Sequence, residues 1–287
     1  MAPSYRPRRS VLYMPSSNER ALEKAKALPV DGLILDLEDA VAPDLKPAAR
    51  DNAAAAALSG EYGRRELTIR VNGIGTPWHE DDLRAACAAG PDGIVVPKVN
   101  SAKEVKSLAA AMADFGAPAT TRLWAMIETP EAIFKAHKIA KASDRLACFV
   151  LGTNDLVKEL QVQTVPGRAP LMTALSMAVL AARQAGISAL DGVYNDVKDA
   201  DGFAAECAQG RELGFDGKTL IHPGQVEVCN ATFAPSSREV EDARGLIAAW
   251  DAGAGTGVVT YNGKMVEQLH VDVARRVLDI DAAIADA

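Results

Sequence analysis

Polar residues suited to an active site follow short apolar segments along most of the chain. They are Asp36, Glu38, Asp39, Arg70, Lys98, Glu128, Asn154, Asp155, Asp191 and His222. If the apolar segments are parallel strands of one barrel, their carboxyl ends meet at a single mouth, which is where barrel enzymes carry their active sites. The pattern therefore predicts that polar side chains converge at this mouth from seven of eight strands.

Two carboxylates in this set indicate a metal site. Glu128 and Asp155 follow adjacent predicted strands, and two carboxylates completed by waters and a substrate chelate are a usual way to hold Mg²⁺. No histidine–cysteine cluster offers ligands to a softer metal. Each residue also has a purely structural interpretation, because Glu128 precedes a helix start at Thr129-Pro130-Glu131 and Asp155 could be a helix N-cap.

Two cationic residues allow alternative interpretations. Arg70 lies in an otherwise apolar strand, where an unpaired guanidinium would be very costly. It is either a structural ion-pair partner of Glu38 or Asp39, or a bidentate clamp that stabilises a developing oxyanion, and the two roles are compatible. Lys98 ends a predicted strand, where a Schiff-base aldolase keeps its nucleophile. We favour the alternative that it pairs with the surrounding carboxylates.

A scaffold must bring these residues together, and the apolar segments provide one. They recur at roughly thirty-residue intervals, the size of one βα unit, and are Ser10–Pro15, Gly32–Asp36, Leu67–Asn72, Gly93–Val99, Leu123–Ile127, Ala147–Leu151, Ala189–Tyr194 and Gly217–His222. Sequence of helical composition intervenes at 18–27, 47–58, 102–113 and 130–142. Continuous apolar strands are typical of a buried parallel sheet, so we predict an α/β fold, the TIM (β/α)₈ barrel. An open doubly wound sheet is the alternative, but no Gly-x-Gly-x-x-Gly turn follows the first strand.

The repeat stops near Phe233, which divides the chain into a barrel over residues 1–233 and a small C-terminal segment over residues 234–287. The predicted elements of this segment are a helix at Ser236–Trp250 opened by a capping box, a flexible hinge at Gly253–Gly257, a hairpin at Val258–Val266 turning at Asn262-Gly263, and a helix at Val271–Ala285 with an apolar stripe of Val273, Val277, Ile280 and Ile284. The segment either docks on its own barrel or forms a lid that reaches a neighbouring subunit.

Length, charge and cysteine content exclude several classes of protein. A chain of 287 residues with a net charge of −7 and no long basic run lacks the electrostatic character of a nucleic-acid-binding protein. No apolar stretch is long enough to span a membrane, and the N-terminus lacks the apolar core of a signal peptide. The cysteines show no Cys-x-x-Cys spacing, which predicts reduced, mostly buried thiols in a cytoplasmic protein.

The residues above lie within an ordered set of motifs that spans nearly the whole chain. The motifs are RSVLYMPSSNERALEKA, DGLILDLEDAVAPDLKPAAR, IRVNGIGTPW, GIVVPKV, IETPEAI, VLGTNDL, LDGVYNDVKD, GKTLIHPGQ and NGKMVEQLHVDVARRVL. In this order they resemble the citrate lyase β-subunit-like family of CoA-ester lyases, the citrate lyase/malyl-CoA lyase branch of the HpcH/HpaI aldolase superfamily. The resemblance is specific for the family and much less so for a substrate.

The resemblance implies a role for each site residue. Glu128 and Asp155 become the Mg²⁺ ligands, and Arg70 becomes the substrate-binding arginine supported by Glu38 and Asp39. The residues implied to bind CoA or line the thioester end are Tyr13, Arg20, Lys24, Ile221 and His222.

The resemblance also implies that the C-terminal segment is a lid over the active site of an adjacent subunit, in a homotrimer or a hexamer built from trimers. Several family members carry a catalytic aspartate in the lid motif Gly-Lys-Met-Val-Asp, whereas this chain has Glu267, one methylene longer. A second departure is Met14-Pro15-Ser16, where many members have Pro-Gly.

The activity implied is Mg²⁺-dependent cleavage of a carbon–carbon bond in a hydroxyacyl-CoA thioester of the malyl-CoA, methylmalyl-CoA or citramalyl-CoA type. The products would be an oxo-acid and acetyl- or propionyl-CoA, or the reverse condensation would run. Arg70 and the metal would stabilise the enolate, and Glu267 would be the acid that protonates it. Two alternatives are a malyl-CoA thioesterase and a citrate lyase β-subunit that works with an acyl-carrier protein.

Overall fold

The computed structural model describes residues 5–253 and 257–286, which fall into two compact units. The larger unit covers Arg8–Asn230, and the smaller one combines the segments before Arg8 and after Asn230.

The larger unit is a closed barrel of eight parallel strands, in which β1 pairs with both β2 and β8. The strands are β1 Ser10–Pro15, β2 Gly32–Asp36, β3 Glu66–Arg70, β4 Gly93–Val96, β5 Arg122–Ile127, β6 Leu146–Leu151, β7 Ser188–Asp191 and β8 Gly217–Leu220. The predicted barrel is confirmed, and the open sheet is excluded. Several strands end earlier than predicted. For example, β4 ends at Val96 because Pro97 lacks an N–H for the sheet and Lys98 has a left-handed φ of 51°.

Helices follow the strands around the barrel. They are α1 Glu19–Ala25, α2 Lys46–Ser59, α3 His79–Ala89, α4 Ala102–Asp114, α5 Pro130–Ala140, α6 Thr153–Leu160, α7 Met172–Ala185, α8 Ala200–Leu213 and α9 Val226–Phe233. Local signals set their starts, as in the capping box of Ser101 and Glu104 and the Thr129 cap that precedes Pro130. The four predicted helical segments are confirmed to within two residues at each end.

The barrel interior is filled by side chains from alternate strand positions. The buried cluster consists of Val11, Ile34, Val95, Trp124, Met126, Cys148, Val150 and Leu190. This packing leaves the carboxyl ends of the strands as the open face for polar side chains. The cysteines Cys87, Cys148, Cys207 and Cys229 are buried free thiols, as predicted.

The smaller unit contains α10 (Ser237–Ala252), a hairpin of β9 (Val259–Tyr261) and β10 (Lys264–Val266), and α11 (Gln268–Ala285). The predicted capping box at Ser236 is confirmed. So is the turn at Asn262-Gly263, where both residues are left-handed with φ of 49° and 72°, as a tight hairpin turn requires.

Most of the predicted hinge at Gly253–Gly257, in the smaller unit, lies outside the described residues. The predicted apolar stripe of α11 stays a prediction: its buried residues are Val271 and Ala274, while Val273 is 62% exposed and Val277, Ile280 and Ile284 are partly exposed. None of the helices in the described part of the chain is both long and apolar enough to cross a membrane.

Candidate active site

Arg70 is the centre of an ion-pair cluster inside the barrel mouth. Its Nε and Nη2 donate to Oδ1 and Oδ2 of Asp36 at 2.6 and 2.7 Å. Its Nη1 lies 2.8 Å from Glu38 Oε2 and 3.7 Å from Asp39 Oδ2. The predicted pairing with Glu38 and Asp39 is therefore confirmed, but Asp36 is the bidentate partner. Asp36 and Arg70 are register neighbours on β2 and β3, a relation that the sequence alone does not reveal.

The same aspartate also fixes the loop after β2. The two oxygens of Asp36 accept hydrogen bonds from the N–H groups of Glu38 at 2.9 Å and Ala40 at 3.1 Å. Burial alone would lower the pKa of Arg70, but the Asp36 carboxylate raises it well above the ordinary value. The ring of Tyr13, on β1, lies 4.7 Å from the guanidinium carbon. Arg70 is thus a charged and rigidly oriented donor.

Glu128, directly after β5, is buried beside the end of β4. Its Oε1 accepts a hydrogen bond of 2.7 Å from the backbone N–H of Lys98, a residue held in the left-handed region. Such backbone conformations in non-glycine residues are enriched at functional sites. The Lys98 ammonium lies 3.6 Å from Asp155 Oδ1 and 3.8 Å from Glu38 Oε1. The geometry supports the interpretation of Lys98 as an ion-pair partner that bridges the two acidic groups.

Neither Glu128 nor Asp155 is used as a helix cap, the structural alternative to a role in metal binding. The N-cap of α6 is Gly152, so Asp155 lies inside the first turn and does not cap the helix. The cap of α5 is the side chain of Thr129, which accepts from Ala132 N, so that helix start does not use Glu128. Gly152 also makes room for Glu128, because a Cβ there would come within 2.1 Å of Glu128 Oε2. This glycine has a site role that sequence reasoning missed.

The cluster contains more negative than positive charge, as five carboxylates face three cations. The carboxylates are those of Asp36, Glu38, Asp39, Glu128 and Asp155, and the cations are Arg70, Lys98 and, behind the Glu38 loop, Lys46. Burial, assisted by the Asp155 carboxylate, raises the pKa of Glu128 to about 7. Burial also raises the pKa of Glu38 to about 7, although Arg70 opposes the shift. A bound divalent cation would relieve this excess of charge.

The donor set fits a hard cation that keeps open coordination positions. Glu128 and Asp155 supply carboxylate oxygens, the ligands that Mg²⁺ prefers. Across residues 5–253 and 257–286, no group of three or more histidine, cysteine or acidic side chains forms a closed metal site. A cation held by Glu128 and Asp155 would therefore have positions left for water and substrate.

Asp191 does not join the site, contrary to the prediction. Leu190 points into the barrel core, so Asp191, the next residue, points outward. Both of its oxygens accept from Nη1 of Arg168, at 2.7 and 2.9 Å, and Lys218 Nζ lies 3.0 Å away. Lys218 also donates to Glu206 on α8. Asp191 is part of a buried ion network between strand and helix.

The residues implied to bind CoA lie at several places around the barrel. Tyr13 is on β1 against Arg70, whereas Arg20 and Lys24 are exposed on α1. Ile221 and His222 are exposed directly after β8, and His222 Nδ1 accepts from Gly224 N at 3.0 Å.

Glu267 belongs to the smaller unit and is the N-cap residue of α11, where its N–H donates to His270 Nδ1 at 3.0 Å. Its predicted role as the acid of the reaction stays a prediction.

A closed parallel barrel with an arginine–carboxylate cluster at the carboxyl ends of its strands defines a (β/α)₈-barrel enzyme. Residues 9–223 match the model of one family, described as HpcH/HpaI aldolase/citrate lyase. The chain belongs to this family and is an enzyme of its citrate lyase β-like branch, as predicted.

Relatives and solved structures agree with this assignment. The chain is 48% identical over 287 residues to a (3S)-malyl-CoA thioesterase of Cereibacter sphaeroides, covering 99% of this chain and 98% of the relative. It is 39% identical over 280 residues to the citrate lyase subunit beta of Escherichia coli K12, covering 95% and 93%. The CitE protein of Mycobacterium tuberculosis, in complex with magnesium, acetoacetate and coenzyme A, is 29% identical with a TM-score of 0.77, covering 95% and 97%.

Proposed function

We propose that this protein is a Mg²⁺-dependent enzyme that hydrolyses a hydroxyacyl-CoA thioester of the malyl-CoA type to the free hydroxy-acid and CoA. The observation that carries the proposal is the acidic pair Glu128 and Asp155 beside the rigid Arg70. The named activity of the 48% identical relative supports the substrate class and the hydrolytic reaction, and the magnesium and coenzyme A in the CitE structure support the cofactor and the thioester.

The side chains of the cluster have complementary tasks in this reaction. Glu128 and Asp155 would hold Mg²⁺, which when bound supplies Lewis-acid polarisation of the substrate oxygens. Glu38, with a pKa near 7, is suited to accept a proton from an attacking water at neutral pH. Arg70 would stabilise the negative charge that develops on the thioester oxygen as water adds to its carbon. Collapse of this adduct breaks the carbon–sulfur bond and releases the CoA thiolate, which takes up a proton.

Carbon–carbon cleavage is the second candidate, and the match to the HpcH/HpaI aldolase/citrate lyase family favours it. Arg70, fixed by two Asp36 hydrogen bonds, is suited to stabilise an enolate as well as a thioester oxyanion. In that reaction Glu38 would take the proton of the substrate hydroxyl. The bond between the hydroxyl-bearing carbon and the carbon next to the thioester carbonyl would then break. The products are an oxo-acid and the enolate of acetyl- or propionyl-CoA, which an acid protonates.

We extend the proposal to the CoA and to the smaller unit. The exposed cations Arg20 and Lys24 on α1 are suited to the CoA phosphates, and Ile221 and His222 to the thioester end. The smaller unit would act as the lid of a homo-oligomer, with Glu267 as an acid/base group. The exposure of Met265, Leu269 and Val273, at 63%, 58% and 62%, supports a docking role because three large apolar side chains lie exposed within nine residues of sequence.

Product analysis separates the two reactions. Purified protein is incubated with (3S)-malyl-CoA, with Mg²⁺ or with EDTA, and the products are resolved by liquid chromatography and mass spectrometry. Hydrolysis predicts malate and free CoA in equal amounts, whereas cleavage predicts glyoxylate and acetyl-CoA. A panel of glyoxylate, pyruvate and oxaloacetate with acetyl- and propionyl-CoA tests the reverse condensation. Absence of any thioester conversion would refute the proposed function.

A further inference from the structure

A buried lysine lies behind the loop that carries Glu38. Lys46 is the first residue of α2 and is only 5% exposed. Its ammonium donates three hydrogen bonds, to the carbonyl oxygens of Leu37 at 2.8 Å and Glu38 at 3.0 Å and to Asn72 Oδ1 at 2.6 Å. These acceptors are neutral, so Lys46 is not held by a direct carboxylate contact. Burial lowers its pKa, against the opposing charge of Asp36.

The loop after β2 is thereby held from two sides. Its N–H groups at Glu38 and Ala40 donate to the Asp36 carboxylate, and its carbonyl groups at Leu37 and Glu38 accept from Lys46. Two side chains therefore satisfy four backbone groups of one short loop. Without the ammonium, Leu37 O would keep Asn72 Nδ2 and Glu38 O would keep Val41 N as a donor, but the donor that joins the two carbonyls would be lost. The Glu38 carboxylate would then be held less firmly against Arg70.

A hydrogen-bond network that includes Lys46 also connects this loop to the strand that carries Arg70. Leu37 N donates to Arg70 O at 2.9 Å, and Asn72 Nδ2 donates to Leu37 O at 2.9 Å and to Asp82 Oδ2 at 2.6 Å. Asp82 in turn accepts from Arg50 Nε at 2.7 Å. Lys46 is the member of this network that contacts both the Glu38 loop and Asn72, two residues beyond Arg70.

We infer that Lys46 is a positioning residue for the proposed reaction. It holds the loop so that the Glu38 carboxylate stays in contact with the Arg70 guanidinium. The inference rests on the proposed function, because it concerns the same site. It requires lysine in particular, since one tetrahedral ammonium offers three donors from a single atom. The planar fork of arginine cannot place three donors in this way.

A cavity gives access to the ammonium. Lys46 lines a space of about 650 Å³ together with Glu38, Asn72, Trp78 and Lys98. The Trp78 ring centroid lies 4.9 Å from the Lys46 Nζ atom. A small alkylammonium ion can therefore reach the position of the Lys46 ammonium when the side chain is shortened, and Trp78 fluorescence can report its arrival.

Two variants test the inference by turnover of (3S)-malyl-CoA. Lys46→Met should lower kcat roughly a hundredfold, the cost of a misplacement of about 1 Å, while KM changes little. In Lys46→Ala, added propylammonium should restore part of kcat, and tetramethylammonium, which has no N–H donor, should not. Lys218→Met is the matched control, because it removes a fully buried lysine outside the candidate site. It should lower thermal stability without the loss of kcat.

The outcomes separate failure of the inference from failure of the function. Wild-type kcat in a folded Lys46→Met protein would overturn the inference. So would propylammonium that binds Lys46→Ala without restoring turnover. Binding is detected as a change in Trp78 emission that is absent from a Lys46→Ala/Trp78→Phe control. If Lys46→Met does not fold, Lys46→Gln gives the same kcat and KM comparison. If the wild-type protein converts no thioester, the proposed function fails, whereas the emission titration still shows whether an ammonium site exists.

Discussion

The barrel contains two buried arginine–aspartate pairs at its strand ends, and only one belongs to the candidate active site. Arg70 and Asp36 lie inside the mouth, while Arg168 and Asp191 lie between a strand and the outer helices. The outer pair is completed by Lys218 and Glu206, so two cations balance two carboxylates. The inner cluster has five carboxylates for three cations, Arg70, Lys98 and Lys46.

The pKa values of the acids are shifted in opposite directions in the two clusters. Burial would raise the pKa of Asp191, but Lys218 and Arg168 lower it. In the inner cluster, burial raises the pKa of Glu38 and Glu128 to about 7. A balanced buried network holds elements together, whereas an unbalanced one leaves groups with perturbed pKa values for a cation and a substrate.

The largest effect is expected from the metal pair. Glu128→Gln or Asp155→Asn should abolish turnover, because each would remove one of the two charged ligands proposed for Mg²⁺. Thermal unfolding should change little, since both substitutions reduce the carboxylate excess. Steady-state kinetics and differential scanning calorimetry measure the two quantities. Turnover near the wild-type rate in either variant would refute the proposal that Glu128 and Asp155 hold the metal.

Arg70→Lys should lower kcat by roughly 10²–10³-fold, the usual cost of losing one oxyanion donor. A lysine cannot reproduce the planar fork that Asp36 orients. Trapping with borohydride in the wild-type protein tests Lys98, the rival cation. Borohydride added with an oxo-acid should leave no covalent adduct on Lys98, because its ammonium is paired with Glu38 and Asp155. A mass increase on the Lys98 peptide would instead support a Schiff-base mechanism.

The lid proposal predicts partial complementation between two inactive proteins. Mixing Arg70→Ala with Glu267→Ala should restore part of the activity if the smaller unit closes the site of a neighbouring subunit, because some mixed oligomers then contain an intact site. Subunit exchange is verified by fluorescence energy transfer between labelled subunits. Exchange without recovered activity would show that Glu267 does not act in trans.

A smaller effect is expected from pH. If Glu38 is the base, kcat/KM should rise with increasing pH through about 7, because only its deprotonated form accepts a proton. Glu38→Gln should lose this limb of the profile along with most activity. A wild-type profile that is flat between about pH 6 and 8 would assign the base to another group.

The smallest effect on turnover is expected from the outer pair. Asp191→Asn should reduce the free energy of unfolding by about 3–5 kcal/mol, the usual cost of breaking a buried ion pair. The folded fraction should keep the kcat of the wild type, because Asp191 points away from the mouth. Urea unfolding and active-site-normalised kinetics test both statements. A large loss of kcat would place the outer network in the catalytic machinery.

The sequence predicts the barrel well because each βα unit is encoded locally. Strand cores and helix starts depend on nearby apolar runs and caps, as at Ser101 and Thr129. The end of each strand is harder to predict, and a shift of one residue there changes the face on which a side chain lies. For this reason the sequence pattern predicts Asp191 at the mouth, although it belongs to the outer network.

The pairing of Arg70 with Glu38 and Asp39 is predicted from the sequence, but several other contacts of the site are not. Asp36 meets Arg70 through the register of β2 and β3, and Gly152 makes room for Glu128, 24 residues earlier in the chain. Lys46 clamps a loop from the first turn of a helix. None of these relations has a local motif, since each depends on how separate segments pack.

Magnesium binding measured by isothermal titration calorimetry tests the central claim most directly. The wild-type protein and Asp191→Asn should bind one Mg²⁺ with similar affinity, while Glu128→Gln should show no binding. In the wild type, turnover of (3S)-malyl-CoA should increase over the same range of Mg²⁺ concentration. Full turnover in EDTA, or unchanged Mg²⁺ affinity in Glu128→Gln, would contradict the assignment of the unbalanced cluster as the metal-dependent active site.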